Sequence, residues 1–419
     1  MTNLPEPISR SDLYMAFLNG IGSIENLPKP ISRSDMYLYN LCVNAANAPT
    51  KGKKYGVRQY KNSSDPTLER VGDSVGLVAN AGVGENTVKN DFDYIYPWNG
   101  RKRCNLSSDG KVLAYQGEPN FKLDGSNGNV MVETPIFYQR YIETEEYREW
   151  WIADYPAPGF RLSPRFVTKS GKILEKIYVG AYEAGYNSTL TSISGVAPAT
   201  NQGRQTARAR AKNIGSGWGI VDIAYRCDIL FYLFVIEFAT LNSQAIMTGI
   251  TSMSAKQNTG LADVVTASSG SVSSNIDGKS AFIYRGEENC WGNIWEWIDG
   301  CNIKDYQAWV CSNPEDYADD KFEAPYQKLS YINSSTNSSF TKEMGYDENL
   351  PYCCLPIAGG ASSSTYYCDN YYCSIGNKAP FVGGSWTHGS TAGLCLWYCF
   401  LGFGTSGDSL GARISYKPS

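Results

Sequence analysis

Histidine is nearly absent from this chain: 419 residues contain one, His388. A lone imidazole can serve as a base or a metal ligand. Here no second histidine exists to share a metal, and no acid lies near His388 in sequence, so a catalytic role for it is not expected. Other absences close further routes. No Walker loop, no Gly-x-Ser-x-Gly elbow and no His-Glu-x-x-His helix occurs, so these chemistries have no local signature. The twelve cysteines include Cys353-Cys354, Cys368-x4-Cys373 and Cys395-x3-Cys399, none with a zinc-site spacing. No metal and no cofactor is expected. The opening MTNLPEPISRSD has no basic and apolar leader, so no secretion signal is read. The thiols are then expected to stay reduced during synthesis, with a disulfide formed after release as the alternative. Strong net charge is also missing. At −4 there is no general attraction to nucleic acid or to an anionic membrane. The most apolar run, Ile229–Ala239, falls short of the roughly 20 residues a membrane span needs. Arg226, Asp228 and Glu237 punctuate it, so it reads as a buried helix and no membrane insertion is expected.

Aromatic residues are abundant: 30 Tyr and 10 Trp accompany 41 Gly. This mixture suits a recognition surface, because Tyr and Trp offer rigid contact area and Gly allows close approach. An aromatic-rich core is the competing reading. The N-terminus holds a repeat with a period of 23: Leu4-Pro-Glu-Pro-Ile-Ser-Arg-Ser-Asp-Leu-Tyr14 returns as Leu27-Pro-Lys-Pro-Ile-Ser-Arg-Ser-Asp-Met-Tyr37. Pro7 and Pro30 keep each lead-in extended. Ser9 with Asp12, and Ser32 with Asp35, fit a capping box for a short helix. Leu13 with Phe17 and Tyr14 with Leu18 would stack, and Gly20 would stop the first helix. Helices this short are marginal alone, so residues 1–45 are expected to dock on a larger assembly or to oligomerise. A hairpin packed on its own domain is the alternative.

Residues 46–128 read as a loop-rich β intermediate region, with short apolar pieces such as Ser74–Val78. Val130–Tyr141 and Lys176–Val179 read as strands. Residues 204–214 and 220–241 read as helices broken by Gly215-Ser-Gly-Trp-Gly219, and residues 254–280 as a Ser/Thr/Gly-rich loop. Strands, two helices and a loop-rich β half imply an α+β domain over 129–419.

Three fragments carry a resemblance. Asn289-Cys-Trp-Gly-Asn-Ile-Trp-Glu-Trp297 resembles the signature of the formylglycine-generating-enzyme branch of the C-type lectin fold. Gly383-Gly-Ser-Trp386 resembles that branch's next segment. Leu410-Gly-Ala-Arg413 resembles its closing Gly-Phe-Arg, with Ala412 in place of Phe. Trp291, Trp295 and Trp297 alternate and are read as one core strand. Gly383 and Gly384 are read as a turn that a Cβ would block, and Arg413 as pinning a loop carboxylate. The enzymes of this branch use two cysteines just after the Gly-Gly-Ser segment. Thr387–Gly393 has none, so an oxidase is not expected. A paired-carboxylate glycosidase stays open, since acids pair by fold rather than by sequence. Asn90–Trp98, Lys102–Asn105, Asp124–Glu133, Asn213–Trp218, Asn242-Ser-Gln244 and the N-terminal repeat resemble segments of phage tail proteins.

The segment 383–416 resembles the variable region of proteins diversified by retroelements. Gly383, Gly384, Trp386, Gly389, Ala392, Gly393, Gly411 and Arg413 keep its frame. Template asparagines would fall at Thr387, His388, Thr391, Tyr398, Phe400, Leu401, Thr405, Gly407 and Ser409. Each of those residue types is reached from an AAC or AAT codon by changing adenines alone. The resemblance implies that these nine side chains bind the ligand, while Trp291, Trp295, Trp297, Gly383, Gly384, Trp386, Gly411 and Arg413 form the scaffold. Along Leu394–Phe403, alternation places Leu394, Leu396 and Cys399 inward, and Tyr398 and Phe400 outward; an ordinary buried strand is the rival. The implied protein is a tail-tip receptor-binding component of a virion, homotrimeric, with a bacterial surface protein or glycan as ligand and with tail or baseplate proteins contacted through residues 1–45.

Overall fold

The computed structural model describes residues 13–14, 26–32, 35, 38–39, 42, 52–333 and 338–418. Its architecture is β-rich with few helices. Residues 46–128 do not stand apart. Lys54–Tyr60 pairs with Tyr147–Ala153 in a five-stranded sheet, and Lys102–Leu106 pairs with Asn129–Pro135 in a six-stranded one. That second sheet also takes in Ile414–Tyr416, close to the C-terminus. The expected boundary between residues 128 and 129 therefore runs through two sheets. Ser74–Val78, one of the short apolar pieces of that region, is a turn and loop.

The strand expected over 130–141 is two strands, Asn129–Pro135 and Tyr138–Glu143, in different sheets. Pro135 has no N–H to continue the ladder, so pairing ends there. The helix expected over 204–214 forms as Arg204–Lys212. The one expected over 220–241 divides into a strand, Trp218–Ile220, a π-helical turn, Tyr225–Leu230, and an α-helix, Phe231–Phe238. Every residue of that turn and helix is buried. Its charges are therefore matched from elsewhere, as burial requires. Asp228 takes two bonds from Arg161 (2.9 and 2.6 Å), and Glu237 takes Arg285, Tyr284 and Asn90. Arg226 donates to the carbonyls of Cys290, Gly393 and Leu394. Among the described residues, no helix is long and apolar enough to cross a membrane. The 254–280 loop carries a single turn at Leu261–Val264 and a short strand at Ser269–Ser271.

In the second repeat copy Ser32 caps as expected, the N–H of Asp35 donating to Ser32 Oγ (3.0 Å), while the return bond to Asp35 Oδ2 comes from the N–H of Ile31, one residue before the cap (3.3 Å). Tyr14 of the first copy reaches the second, donating its hydroxyl to the Pro28 carbonyl (2.7 Å) and meeting the Tyr39 ring edge-on at 6.2 Å. Ser9, Asp12, Phe17, Leu18 and Gly20, on which the first copy's cap, stacking and stop depend, lie outside the described residues.

The sheet that carries the C-terminal segment has seven strands, in the order Pro356–Ala361, Ser339–Met344, Asn370–Cys373, Gly393–Cys399, Phe381–Gly383, Trp295–Trp297 and Leu410–Gly411. Trp291 is not on the tryptophan strand. It lies in the turn before it and packs on Phe234 and Phe282 (5.4 and 4.4 Å), whereas Trp295 and Trp297 face a separate cluster. Arg413 sits between the last two strands and binds a strand carboxylate, not a loop one. It bonds Glu296 Oε1 (2.8 Å from Nη2, 2.9 Å from Nε) and donates to the carbonyls of Gly180, Glu288 and Asn289. Replacing Arg413 by Met would leave Glu296 buried without its cation, so we expect a loss of about 3–5 kcal/mol, read as a lower urea midpoint at an unchanged slope.

Candidate functional site

One face of the tryptophan strand leads outward to a layer of rings. Trp295 and Trp297 are two residues apart and so share a face; both meet Phe381 of the neighbouring strand (4.8 and 5.4 Å). His388 stands edge-on over Trp295 at 4.6 Å, and Tyr398 lies against the same indole at 4.7 Å. Phe400 contacts Phe381 and Tyr398 at 5.4 Å each and stacks on Tyr372 at 4.5 Å. The inner rings are buried, while His388, Tyr398, Phe400 and Tyr372 are half-buried. Tyr398 also has its hydroxyl tied to Asn370 Oδ1 (3.1 Å), as a partly buried phenol needs. Leu401 and Phe403 pack at the margin of the same cluster.

The backbone of this segment is held by side chains that lie outside it. Gln244 Nε2 donates to the carbonyls of Gly389 and Ala392 (2.7 Å each). Arg226 takes those of Gly393 and Leu394 (3.2 and 2.7 Å). The N–H of Leu394 donates to Ser243 Oγ (3.0 Å), and that of Cys395 to Asp369 Oδ2 (2.6 Å). Backbone groups supply the rest: the N–H of Met253 donates to the Trp386 carbonyl, that of Trp386 to the Asn293 carbonyl, and that of Gly389 to the Thr251 carbonyl. Asp369 is fully buried, and burial pushes its carboxyl well up. It fits against the chain because residue 393 is glycine; a Cβ there would lie 2.1 Å from Asp369 Oδ1. Gly384, at φ +88°, turns the chain where a Cβ would lie 2.8 Å from that of Ala392, so the expected glycine turn is present.

None of the nine outward positions is sealed. Thr387 is exposed; His388, Thr391, Tyr398, Phe400, Leu401, Thr405, Gly407 and Ser409 are half-buried. His388, Tyr398 and Phe400 are brought together over Trp295 and Phe381. Thr391 folds back, its hydroxyl donating to the His388 carbonyl (2.6 Å). Gly407 and Ser409 lie on the return loop and are engaged through their backbones: their carbonyls accept from Asn201 N–H and Trp295 N–H (2.8 Å each). Thr405 turns back on the same loop, its N–H bonded to the Gly402 carbonyl. Of the scaffold positions, Trp291, Trp295, Trp297, Gly383, Gly384, Gly411 and Arg413 are buried, while Trp386 is half-buried against Ile250, Ala262, Ala281 and Ile283. Leu394–Leu396 is buried on both faces, because Leu394 and Cys395 pack into one hydrophobic cluster and Leu396 into another.

No known family model matches this chain, and no curated protein does. The site therefore rests on its own geometry. Sequence reasoning missed Tyr372, Phe403, Ser243, Gln244 and Asp369. Tyr372 carried a faint signal in Asn370-Tyr-Tyr-Cys373, whose alternation sends one tyrosine in and the next out. Among the described residues, no group of three or more His, Cys, Asp or Glu side chains is placed to hold a metal ion, and all twelve cysteines are free thiols.

His388 Nδ1 accepts from the N–H of Ser385 (3.1 Å) and lies 3.0 Å from its hydroxyl. Ser385 is buried, so this pair locks a turn rather than presenting a nucleophile. Burial pushes the imidazole down to about 4, and the N–H aimed at Nδ1 leaves no room for a proton there. A folded value below the ordinary 6.5 means that the unfolded chain binds the proton more readily. His388 thus contributes stability that is complete above pH 6.5 and lost as pH falls toward 4. With one histidine in the chain, a single imidazole Cε1–H resonance reports the titration. Its midpoint is expected near 4, and a midpoint of 6.5 would contradict the buried turn.

Proposed function

We propose that this chain is a phage tail-tip receptor-binding protein that adsorbs to a bacterial surface protein or glycan through the aromatic layer around Tyr398 and Phe400. The observation that supports this reading most is the separation between backbone support and side-chain display. The peptide groups from Trp386 to Cys395 are bonded by Arg226, Ser243, Gln244, Thr251, Met253, Asn293 and Asp369. The side chains at the nine outward positions can then vary without unmaking those bonds. A half-exposed patch of aromatic rings bordered by Thr, Ser and Gly has the composition of an interaction hot spot.

Within this reading the C-terminal portion is a C-type lectin-like domain of the formylglycine-generating-enzyme type, diversified at the nine positions, and the protein acts on the virion without turning over its ligand. The N-terminal repeat attaches it to tail or baseplate proteins or joins three copies, and trimers convert weak contacts into avidity. The contact between Tyr14 and Pro28 favours the two repeat copies acting as one unit.

Particles carrying Tyr398→Ala with Phe400→Ala are expected to assemble normally and to lose host adsorption. Both rings are half-buried, so the purified variant should keep its cooperative unfolding. Failure of particle assembly would instead make the aromatic layer a contact between tail proteins. Product release from host polysaccharide would make the chain a glycan-processing enzyme.

A further inference from the structure

On the far side of the C-terminal strand, Lys417 is 6% exposed. A buried ammonium is ordinarily paired with a carboxylate. Lys417 instead donates from Nζ to the Pro164 carbonyl (2.9 Å). Its acidic neighbours are committed elsewhere: Asp222 to Arg165 Nη1 (2.7 Å) and the Tyr317 hydroxyl (3.0 Å), and Glu315 toward Lys169 (3.9 Å). Arg165 adds a like charge, and the nearby thiol of Cys311 is pushed up by burial. Burial and Arg165 together push the Lys417 amine down to about 7.

The residue stands beside empty space. Lys417 lies in the wall shared by two cavities of about 320 and 910 Å³. Pro164, which receives its hydrogen bond, lines the larger one, a volume suited to a small molecule. Arg140 in the larger cavity and Lys212 in the smaller form no ion pair among the described residues. Of the acids lining the two, Asp316 and Glu315 face Lys169, and Glu348 is in no ion pair among the described residues. An anionic group would thus find a free cation in each cavity and one opposing carboxylate in the larger.

We propose that Lys417 is a covalent site for small carbonyl compounds that carry an anionic group. The neutral amine of Lys417 attacks the carbonyl carbon and forms a C–N bond. The carbonyl oxygen leaves as water, taking both amine hydrogens, and an imine remains. Neither oxidant nor reductant is consumed. This site is separate from the aromatic layer, and the proposal does not depend on receptor binding.

The test uses the full chain, pyridoxal 5′-phosphate and borohydride trapping, with the modified lysines located by peptide mass mapping. An exposed lysine with an ordinary pKa is roughly one part in two thousand neutral at pH 7. Lys417 is therefore expected to label about tenfold or more faster than the exposed Lys122 and Lys279, with a rate that rises through pH 7. Labelling of Lys417 no faster than those two, or none, would overturn the proposal. Pyridoxal without its phosphate should label Lys417 more slowly; equal rates would overturn the anionic requirement. The comparison is made within one wild-type protein, so it does not hinge on whether Lys417→Met folds.

Discussion

A peptide group taken out of water must find a hydrogen-bond partner, and this requirement organises the C-terminal half of the chain. The turn from Trp386 to Gly393 joins two adjacent strands of one sheet, yet between Gly389 and Ala392 it has no ladder of its own. Gln244, Arg226, Ser243 and Asp369 act in place of a ladder. All four approach from behind the segment, from elements whose own positions are fixed by burial. Their cost is high in isolation: a buried guanidinium and a buried carboxyl lose their solvation, and the half-buried Gln244 amide loses part of its own. That cost is offset because each meets backbone groups that would otherwise stand unpaired. The consequence is a loop whose path is set by residues outside it, of which Arg226, Ser243 and Asp369 are buried and Gln244 is half-buried.

The tryptophan strand provides the second constraint. Glu296 points away from Trp295 and Trp297, into the protein, where Arg413 meets it. Arg413 then uses its remaining donors on three carbonyls from two other segments. One residue near the C-terminus thus joins the tryptophan strand to the strand ending at Gly180 and to the turn before Trp291. On the opposite face the same strand presents its indoles to Phe381, Tyr398 and His388. The ring layer is supported from below by this one buried ion pair, while its outer members stay in contact with solvent.

Much of this was legible in the sequence where the signal was local. Trp295-Glu-Trp297 alternates as a strand should, Gly383-Gly384 demands a positive-φ turn, and Ser32 caps its helix. Alternation alone did not separate Tyr398 and Phe400 from Leu396, because all three share one face of the strand; Leu396 is buried in the ring cluster, and the other two are half-buried at its outer side. What was not legible depends on contacts between distant residues. Gln244 lies 148 residues from Ala392, and nothing in Asn242-Ser-Gln244 announces which carbonyls it serves. Trp291 was misassigned because alternation was extended across Gly292, whose positive φ breaks the strand before it starts. That strands from both sides of residue 128 share sheets was hidden for a related reason: loop-rich composition describes how a segment is connected, not which sheet its strands join.

The central claim is that the outer side chains, His388 with its bond to Ser385 apart, are energetically separable from the frame that carries them. The most direct measurement is a library randomised at Thr387, His388, Thr391, Tyr398, Phe400, Leu401, Thr405, Gly407 and Ser409, sorted for protease resistance and then for host adsorption. The account predicts that most members remain folded and that adsorption is scattered among them, with wild-type affinity rare. If folded members were as scarce as in a library randomised at buried positions such as Arg226, Ser243, Trp297 and Asp369, the frame and the surface would be one unit and the account would be wrong.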